Sequence, residues 1–375
     1  MTIFQIEKDE NPEVAHERLT KEAFFPVLEQ ELFYQNQNPQ LNDFIEGRTR
    51  INLAKSEKEF IRLPRHYGIL DVERRHVISV VTQDNYELIR NVTAFGIAKH
   101  RVVPKIFPRA EKNSFLCNQV VLSESRGICY IDLCCYCYRP PRPFKDVWMP
   151  FIRIVNSYNK TYKLSYVLGF CNRTSQNRVI FADKMVPLSS THNDVVNKLD
   201  KEIQKKFHDI SRFEVEFYDR LLELKKFYFP HKLVLALYCM VFGVRAEDSQ
   251  HMSFRAREKI HDFVESMDNW TREFFDAHGD NAYAAFCVLA AAASRPVSYF
   301  TSENRMNSLQ EKVGKWSHDF TDHVKNPSFD IDEYLLEGCR GAAKSLRDIH
   351  AGIQRGGSRI VPFYEVKTVE QHNEP

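Results

Sequence analysis

The chain has 375 residues and a formal net charge of only +2, so no global field attracts nucleic acid or membrane. Its 43% hydrophobic and 13% aromatic content excludes a disordered chain and predicts a substantial core in one or two domains. The charge is uneven, because residues 45–155 hold 19 Lys and Arg against 11 Asp and Glu. Such a basic region suits a phosphate-rich partner.

The first residues lack the basic and apolar regions of a signal peptide, and the most hydrophobic run, residues 232–243, is too short to span a bilayer. These features predict a soluble, cytoplasmic protein with no membrane partner. Four of the nine cysteines lie in CYIDLCCYCY, residues 129–138. Because no second CxxC or HxxxH lies at a workable distance, we interpret them as buried thiols and expect no metal and no cofactor.

In chain order, residues 1–44 are predicted to form a polar, helical segment, and residues 45–192 a β-rich α+β core domain. The clearest unit of this domain is a hairpin over residues 153–181. Its second strand alternates along residues 161–170, which predicts an antiparallel strand with one buried face. Asn159 and Lys160 are expected to form the turn, since Asn tolerates a left-handed backbone.

From Val196 to Tyr228 apolar residues recur every three or four positions, which predicts a long amphipathic helix ended by Pro230. The further predicted helices cover residues 232–241, 256–278, 282–294, 303–325 and 331–354. The helical region is thus assigned to residues 193–355, with a loosely ordered tail over 356–375. The predicted fold class is α+β, with an N-terminal antiparallel-sheet-rich module followed by a helical C-terminal half.

The hairpin also resembles an uncharacterised family of phage, plasmid and mobile-element proteins, catalogued as domain of unknown function 932. That family has an Asn-Ser-(Tyr/His)-(Asp/Asn)-Gly hairpin, a strand ending in Gly-Phe, a later Asn, and a His ahead of a long helix. The matching positions are Asn156, Ser157, Tyr158, Asn159, Gly169, Phe170, Asn177 and His192. Lys160 and Arg178 stand where the family has glycine. The resemblance spans about residues 25–300 and implies work on mobile-element DNA.

Basic residues interleaved with aromatics recur through the β-rich domain, a pattern typical of single-strand binders, in which cations track phosphates and aromatic rings stack on bases. At the hairpin tip, amide and hydroxyl groups and one aromatic ring could contact sugar, phosphate and base. The alternative is a tip whose Asn and Ser only satisfy the turn backbone. The candidate nucleic-acid-binding residues are Arg74, Arg75, Arg139, Arg142, Arg153, Asn156, Ser157, Tyr158, Arg173, Asn177 and His192.

The sequence therefore predicts a non-enzymatic protein that associates with single-stranded DNA, for binding or annealing, with no catalytic residue assigned. A homo-oligomer or a protein partner is compatible with this function. Two alternatives stay open. One is a Mg²⁺-dependent enzyme acting on nucleic acid, with Asp132, Asp183 and His192 as ligands. The other is an interaction subunit of a phage-defence or anti-defence complex, for which the alanine-rich helix over 282–294 suits close packing.

Overall fold

The computed structural model describes residues 2–35, 60–82, 88–108, 114–187, 201, 203, 205–206, 210–245, 253–295 and 306–355. It confirms the predicted fold class, with antiparallel sheets in the N-terminal half and helices in the C-terminal half. The strands are β1 (Thr2–Gln5), β2 (Val27–Gln35), β3 (Phe60–Asp71), β4 (His76–Thr82), β5 (Phe115–Leu122), β6 (Ile128–Cys135), β7 (Trp148–Ser157), β8 (Ser165–Asn172) and β9 (Arg178–Pro187).

The N-terminal half carries α1 (Pro12–Ala23) and a helical segment in which α2 (Asn91–Ile97) runs through a π-helical turn into α3 (Val103–Ile106). The described helices of the C-terminal half are α4 (Ile210–Lys226), α5 (Val234–Phe242), α6 (Phe254–His278), α7 (Ala282–Ser294), α8 (Met306–His323), α9 (Ile331–Tyr334) and α10 (Glu337–Arg355). The prediction for residues 282–294 is confirmed, and α4 ends four residues before Pro230.

The large sheet has the order β1-β5-β6-β7-β8-β9, in which β5 to β9 form an antiparallel meander and β1 pairs with β5. A smaller sheet has the order β2-β3-β4. The N-terminal residues therefore give one strand to each sheet. Strand β2 replaces part of the helical segment predicted over residues 1–44, because Pro26 favours an extended conformation of the residue before it and β2 pairs along β3 from Val27 onward.

The hairpin strands β7 and β8 are buried on both faces, which corrects the prediction of one buried face. The second face of β8 carries Ser165, Val167 and Gly169, which are small enough to be covered. At Gly169 an added Cβ would lie 2.4 Å from the Val179 carbonyl oxygen and 2.6 Å from the Phe151 ring. Only glycine fits there, so the sheet is packed tightly at its centre.

The two halves share one core. Trp148 on β7 donates its indole N–H to the Tyr283 hydroxyl of α7 at 3.0 Å, and its backbone N–H bonds to the Tyr218 hydroxyl of α4. Every residue of α7 is buried. Because small alanines let other helices and the sheet approach, the alanine-rich helix packs within the fold rather than on its surface.

Candidate nucleic-acid interface

The hairpin tip is built into the core. Asn156 donates from Nδ2 to the Ile89 carbonyl and to Asn91 Oδ1, both at 2.8 Å. The Tyr158 hydroxyl accepts the Asn91 N–H at 3.0 Å, and its side chain is 2% exposed. Ser157 Oγ bonds both the N–H and the carbonyl of Tyr162. These groups fix the turn and the α2 start, so their burial contradicts their prediction as DNA contacts.

Arg153 is also inside the protein, with 0% exposure. Its Nε and Nη2 each donate at 2.7 Å to one carboxylate oxygen of Asp132, a bidentate pair, and its Nη1 donates to Asn307 and Gln310 of α8. Arg178 Nε lies 2.9 Å from Asp132 Oδ2 as a second ion-pair contact, although it is not aligned for a hydrogen bond. Because Arg153 is fully buried and four of its five N–H groups are engaged, a phosphate cannot reach it, which corrects its assignment.

This buried cluster holds two guanidinium groups for one carboxylate. Burial raises the pKa of the nearby Cys171 thiol, while a hydrogen bond with Cys134 and the charge of Arg178 lower it, with a net result of about 7. Cys129, Cys134 and Cys135 are buried free thiols as predicted, whereas Cys137 is exposed. The cluster joins β6, β7 and β9 to α8, so its role is to hold the two halves together.

One feature of the sequence could have revealed the ion pair. Asp132 and Arg153 are the only charged residues of β6 and β7, in the runs ICYIDLCC and WMPFIRIVNS. A single charge inside a strand that is otherwise nearly all apolar needs a partner, because an unpaired buried charge costs several kcal/mol. Register opposes the two residues directly, Asp132 to Arg153.

Asn177 is 1% exposed, and its side-chain Oδ1 and Nδ2 have no hydrogen-bond partner among the described residues. Arg173, another predicted contact, is exposed, but its guanidinium is hydrogen-bonded within the protein, since Nη2 donates to the carbonyls of Tyr136 and Tyr138 at 3.2 Å. The burial of Asn177 thus contradicts its assignment as a DNA contact. His192 lies outside the described residues.

The exposed candidates separate onto opposite ends of the large sheet. Arg139 and Arg142 lie on the β6–β7 loop, together with Arg173 after β8; we call this the loop end. Arg74 and Arg75 lie on the β3–β4 turn, beside the β5–β6 turn, where Arg74 Nη1 donates to the Glu124 carbonyl at 3.2 Å. The ten residues of β7 put about 30 Å between these ends. The sequence pattern predicted them as nucleic-acid contacts without assigning them to a common surface.

The opposite end, which we call the turn end, consists of the β3–β4, β5–β6 and β7–β8 turns and the bulge of β3. Strand β4 crosses it: Ser79 Oγ donates to the Tyr158 carbonyl, and Thr82 contacts Lys160 Nζ at 3.3 Å. Its Lys and Arg residues are Arg65, Arg74, Arg75, Arg126, Lys160 and Lys163. The seven residues of β4 place the cations at its two extremities about 20 Å apart.

Four of these cations share an unfavourable backbone. Arg65, Arg75, Arg126 and Lys160 have φ values of 61°, 55°, 55° and 62°, in the left-handed region that costs a residue with a Cβ about 1–2 kcal/mol. For Arg126 the side chain explains the position, since Nη1 contacts Asp71 at 3.1 Å and Glu73 at 2.9 Å. The other three side chains are exposed, and glycine or asparagine would occupy their positions at lower cost.

The outer face of the small sheet is apolar and lies beside these cations. Leu28, Val77 and Val80 are 50%, 45% and 54% exposed, and the side chains of Leu32 and Val77 cover the backbone of Gly68 at its centre. Register places these residues on one face, with Leu28 and Val77 both opposite Leu70 and with Gly68 opposite Val80. Among described side chains, the exposed large aromatic residues are Tyr228 and Phe254 in the helical half, so the apolar surface here is aliphatic.

The ligand set of the enzyme alternative is not brought together. Asp132 is buried and paired with Arg153 and Arg178, whereas the side chain of Asp183 on β9 is 69% exposed. His192 is outside the described residues. Within the described residues, no group of three or more His, Cys, Asp or Glu side chains is placed to hold a metal ion. None of the described helices is long and apolar enough to cross a membrane.

Comparison with family models, curated proteins and solved structures finds no match to this chain. The family resemblance of the hairpin therefore stays a prediction, and the functional case depends on the geometry of the turn end.

Proposed function

We propose that this chain is a DNA-associated protein of a mobile genetic element that binds single-stranded DNA through its turn end. The observation that carries the proposal is the set of exposed cations in left-handed backbone positions, Arg65, Arg75 and Lys160. Residues with a strained backbone cluster at binding and switch sites, which makes these exposed positions candidates for ligand contact. Cations along a 20 Å strand can track several phosphates.

The charge distribution supports a polyanionic partner. Between residues 60 and 187 the described part of the chain has 18 Lys and Arg against 6 Asp and Glu, whereas the described residues from 210 to 355 have 18 against 19. Residues 2–35 are acidic, with 3 against 8. The positive field is thus restricted to one stretch of the chain, and it attracts phosphates in a salt-dependent manner.

The apolar face of the small sheet supports a single strand over a duplex. Unpaired bases expose flat, poorly hydrated surfaces, which a duplex hides within its stack. Leu28, Val77 and Val80 offer such bases a contact surface adjacent to the cations. Without exposed aromatic rings the contact per base is weaker than in a stacking platform, so we expect affinity to come mainly from phosphates.

The test is binding of the full chain to labelled single-stranded and duplex DNA at about 50 and 200 mM salt, with and without Mg²⁺, followed by a denaturing gel. We expect salt-sensitive binding that prefers the single strand and leaves it intact. Mg²⁺-dependent cleavage would instead favour the enzyme alternative. Absence of binding to either DNA at the lower salt would contradict the proposal and favour a protein partner.

A further inference from the structure

A groove of about 450 Å³ lies where the edge strand β9 meets α4 and α8, and none of the turn-end cations lines it. A bulge in β9 opens the groove. Gly169 pairs with Ile180 and Val167 pairs with Met185, so a step of two residues along β8 corresponds to a step of five along β9. Bulges in edge strands often redirect side chains at binding sites. The volume is within the range of small-molecule pockets, about 300–1,000 Å³.

The floor of the groove is aromatic. Phe181 and Phe213 are 6% and 7% exposed, and their rings pack edge to face with centroids 5.0 Å apart. Gly314 of α8 lets the helix approach the strand, because a Cβ there would lie 2.4 Å from the Ile180 carbonyl oxygen. The floor is therefore apolar and fixed by packing, which suits an apolar or aromatic ligand body.

The charged side chains around this floor differ in how deeply they are buried. The carboxylates of Asp183, Glu216 and Asp319 are 69%, 42% and 47% exposed and belong to the rim. The side chains of Lys184 and Arg220 are only 21% and 16% exposed. Glu311, Lys315 and His318 also line the groove and are exposed. Water screens these rim groups more than Lys184 and Arg220, so the two deeper cations are the charges that a ligand at the floor meets most directly.

Arg220 has unused donors. Its guanidinium makes no hydrogen bond to the described residues, and Glu216 Oε2 approaches only to 3.8 Å, too far for one. Glu216 is engaged elsewhere, since Arg212 Nε donates to its Oε1 at 2.8 Å. Lys184 Nζ lies 5.1 Å from the centre of the Phe213 ring and 3.6 Å from Asp183. A half-buried guanidinium with free donors is suited to a bidentate oxyanion.

We propose that this groove binds a small organic anion, with its phosphate or carboxylate group on Arg220 and Lys184 and its apolar body on Phe181 and Phe213. The site does not depend on DNA binding at the turn end, and failure of either proposal leaves the other standing.

The probes are phenyl phosphate, benzoate, inorganic phosphate and the neutral benzamide, titrated into the full chain by calorimetry. We expect at least one of the two aromatic anions to bind, and benzamide and inorganic phosphate to bind roughly tenfold more weakly, because each lacks one half of the ligand. Comparing phenyl phosphate with benzoate then tells which oxyanion the site prefers. No binding of either aromatic anion up to about 10 mM, which corresponds to a contact too weak for a specific pocket, would overturn the proposal.

The variants are Arg220→Gln and, nearer the surface, Lys184→Gln, which keeps the test informative if Arg220→Gln unfolds. Lys226→Gln is the matched control, since Lys226 lies on the same helix, is 73% exposed and does not line the groove. We expect a tenfold or greater loss of anion affinity for Arg220→Gln and Lys184→Gln and no change for Lys226→Gln. Equal affinity in all three would overturn the assignment.

Discussion

The centre of the large sheet and its turn end are both rich in arginine, but the two regions use the charge in opposite ways. At the centre, Arg153 and Arg178 are fully buried and contact Asp132 and neutral polar groups of neighbouring strands and helices. At the turn end, Arg75 and Lys160 are exposed and have left-handed backbones. The buried arginines connect strands and helices but are closed to a ligand. The turn-end cations are open to a ligand, but their left-handed backbone lowers the stability of the fold.

This difference separates two meanings of a basic residue in a strand-rich sequence. A buried guanidinium that is paired with a carboxylate, like that of Arg153, is closed to a ligand. An exposed cation in a strained turn contributes little to stability, and strained positions of this kind are frequent at binding sites. Mutations in the two regions should therefore move stability and binding independently.

The largest effect is expected at the centre. Asp132→Asn leaves two buried guanidinium groups without a counter-charge, so we expect the free energy of unfolding to fall by about 3–5 kcal/mol in urea titration. Glu124→Gln is the control, because Glu124 is exposed in the adjacent β5–β6 turn. A loss below about 1 kcal/mol for Asp132→Asn would mean that the ion pair is not what joins β6, β7 and α8.

Glu214 on α4 is expected to make stability depend on pH. Burial raises the pKa of the Glu214 carboxyl from its ordinary value of 4.5 to about 7. The folded state then binds more protons than the unfolded chain between these values, so Glu214 lowers stability as pH rises from about 4.5 to 7. The free energy of unfolding of Glu214→Gln should exceed that of the original chain by roughly 2–3 kcal/mol at pH 8 and equal it at pH 4. A gain of equal size at both pH values would contradict this origin.

A smaller effect is expected from neutralising the loop end. Arg142 Nε is already paired with Asp219 at 2.9 Å, and Arg139 lacks the strained backbone of the turn-end cations. We predict that Arg139→Gln with Arg142→Gln lowers single-strand affinity by only about two- to threefold, as loss of general positive charge. The measurement is fluorescence anisotropy at fixed salt. A loss of tenfold or more would move the binding site from the turn end to the loop end.

Much of the fold could be predicted from the sequence, because its period-two and period-three-to-four patterns are local properties of the strands and helices. The burial of both faces of β7 and β8 could not, since it depends on α8 and the small sheet, whose contacts are distant in sequence. For the same reason Arg153 was predicted to be a surface cation. Asp132, a single charge in the otherwise apolar strand β6, was nevertheless a signal of a buried ion pair. Likewise, the family's glycine at the position of Lys160 indicated the left-handed turn, but not the cations that surround it.

The most direct test of the turn-end proposal is the double variant Arg75→Asn with Lys160→Asn, measured for both urea unfolding and single-strand binding. Asparagine accepts the left-handed backbone that both residues adopt and removes both charges. Arg255→Asn with Arg257→Asn, two exposed cations of α6, is the control for the loss of net charge.

We predict that the turn-end variant gains about 1 kcal/mol in stability and loses about tenfold or more in affinity, with a shallower dependence of binding on salt. The control should bind almost as the original chain does. A more stable turn-end variant that binds single-stranded DNA as tightly as the control would contradict the proposal that these strained cations hold the strand.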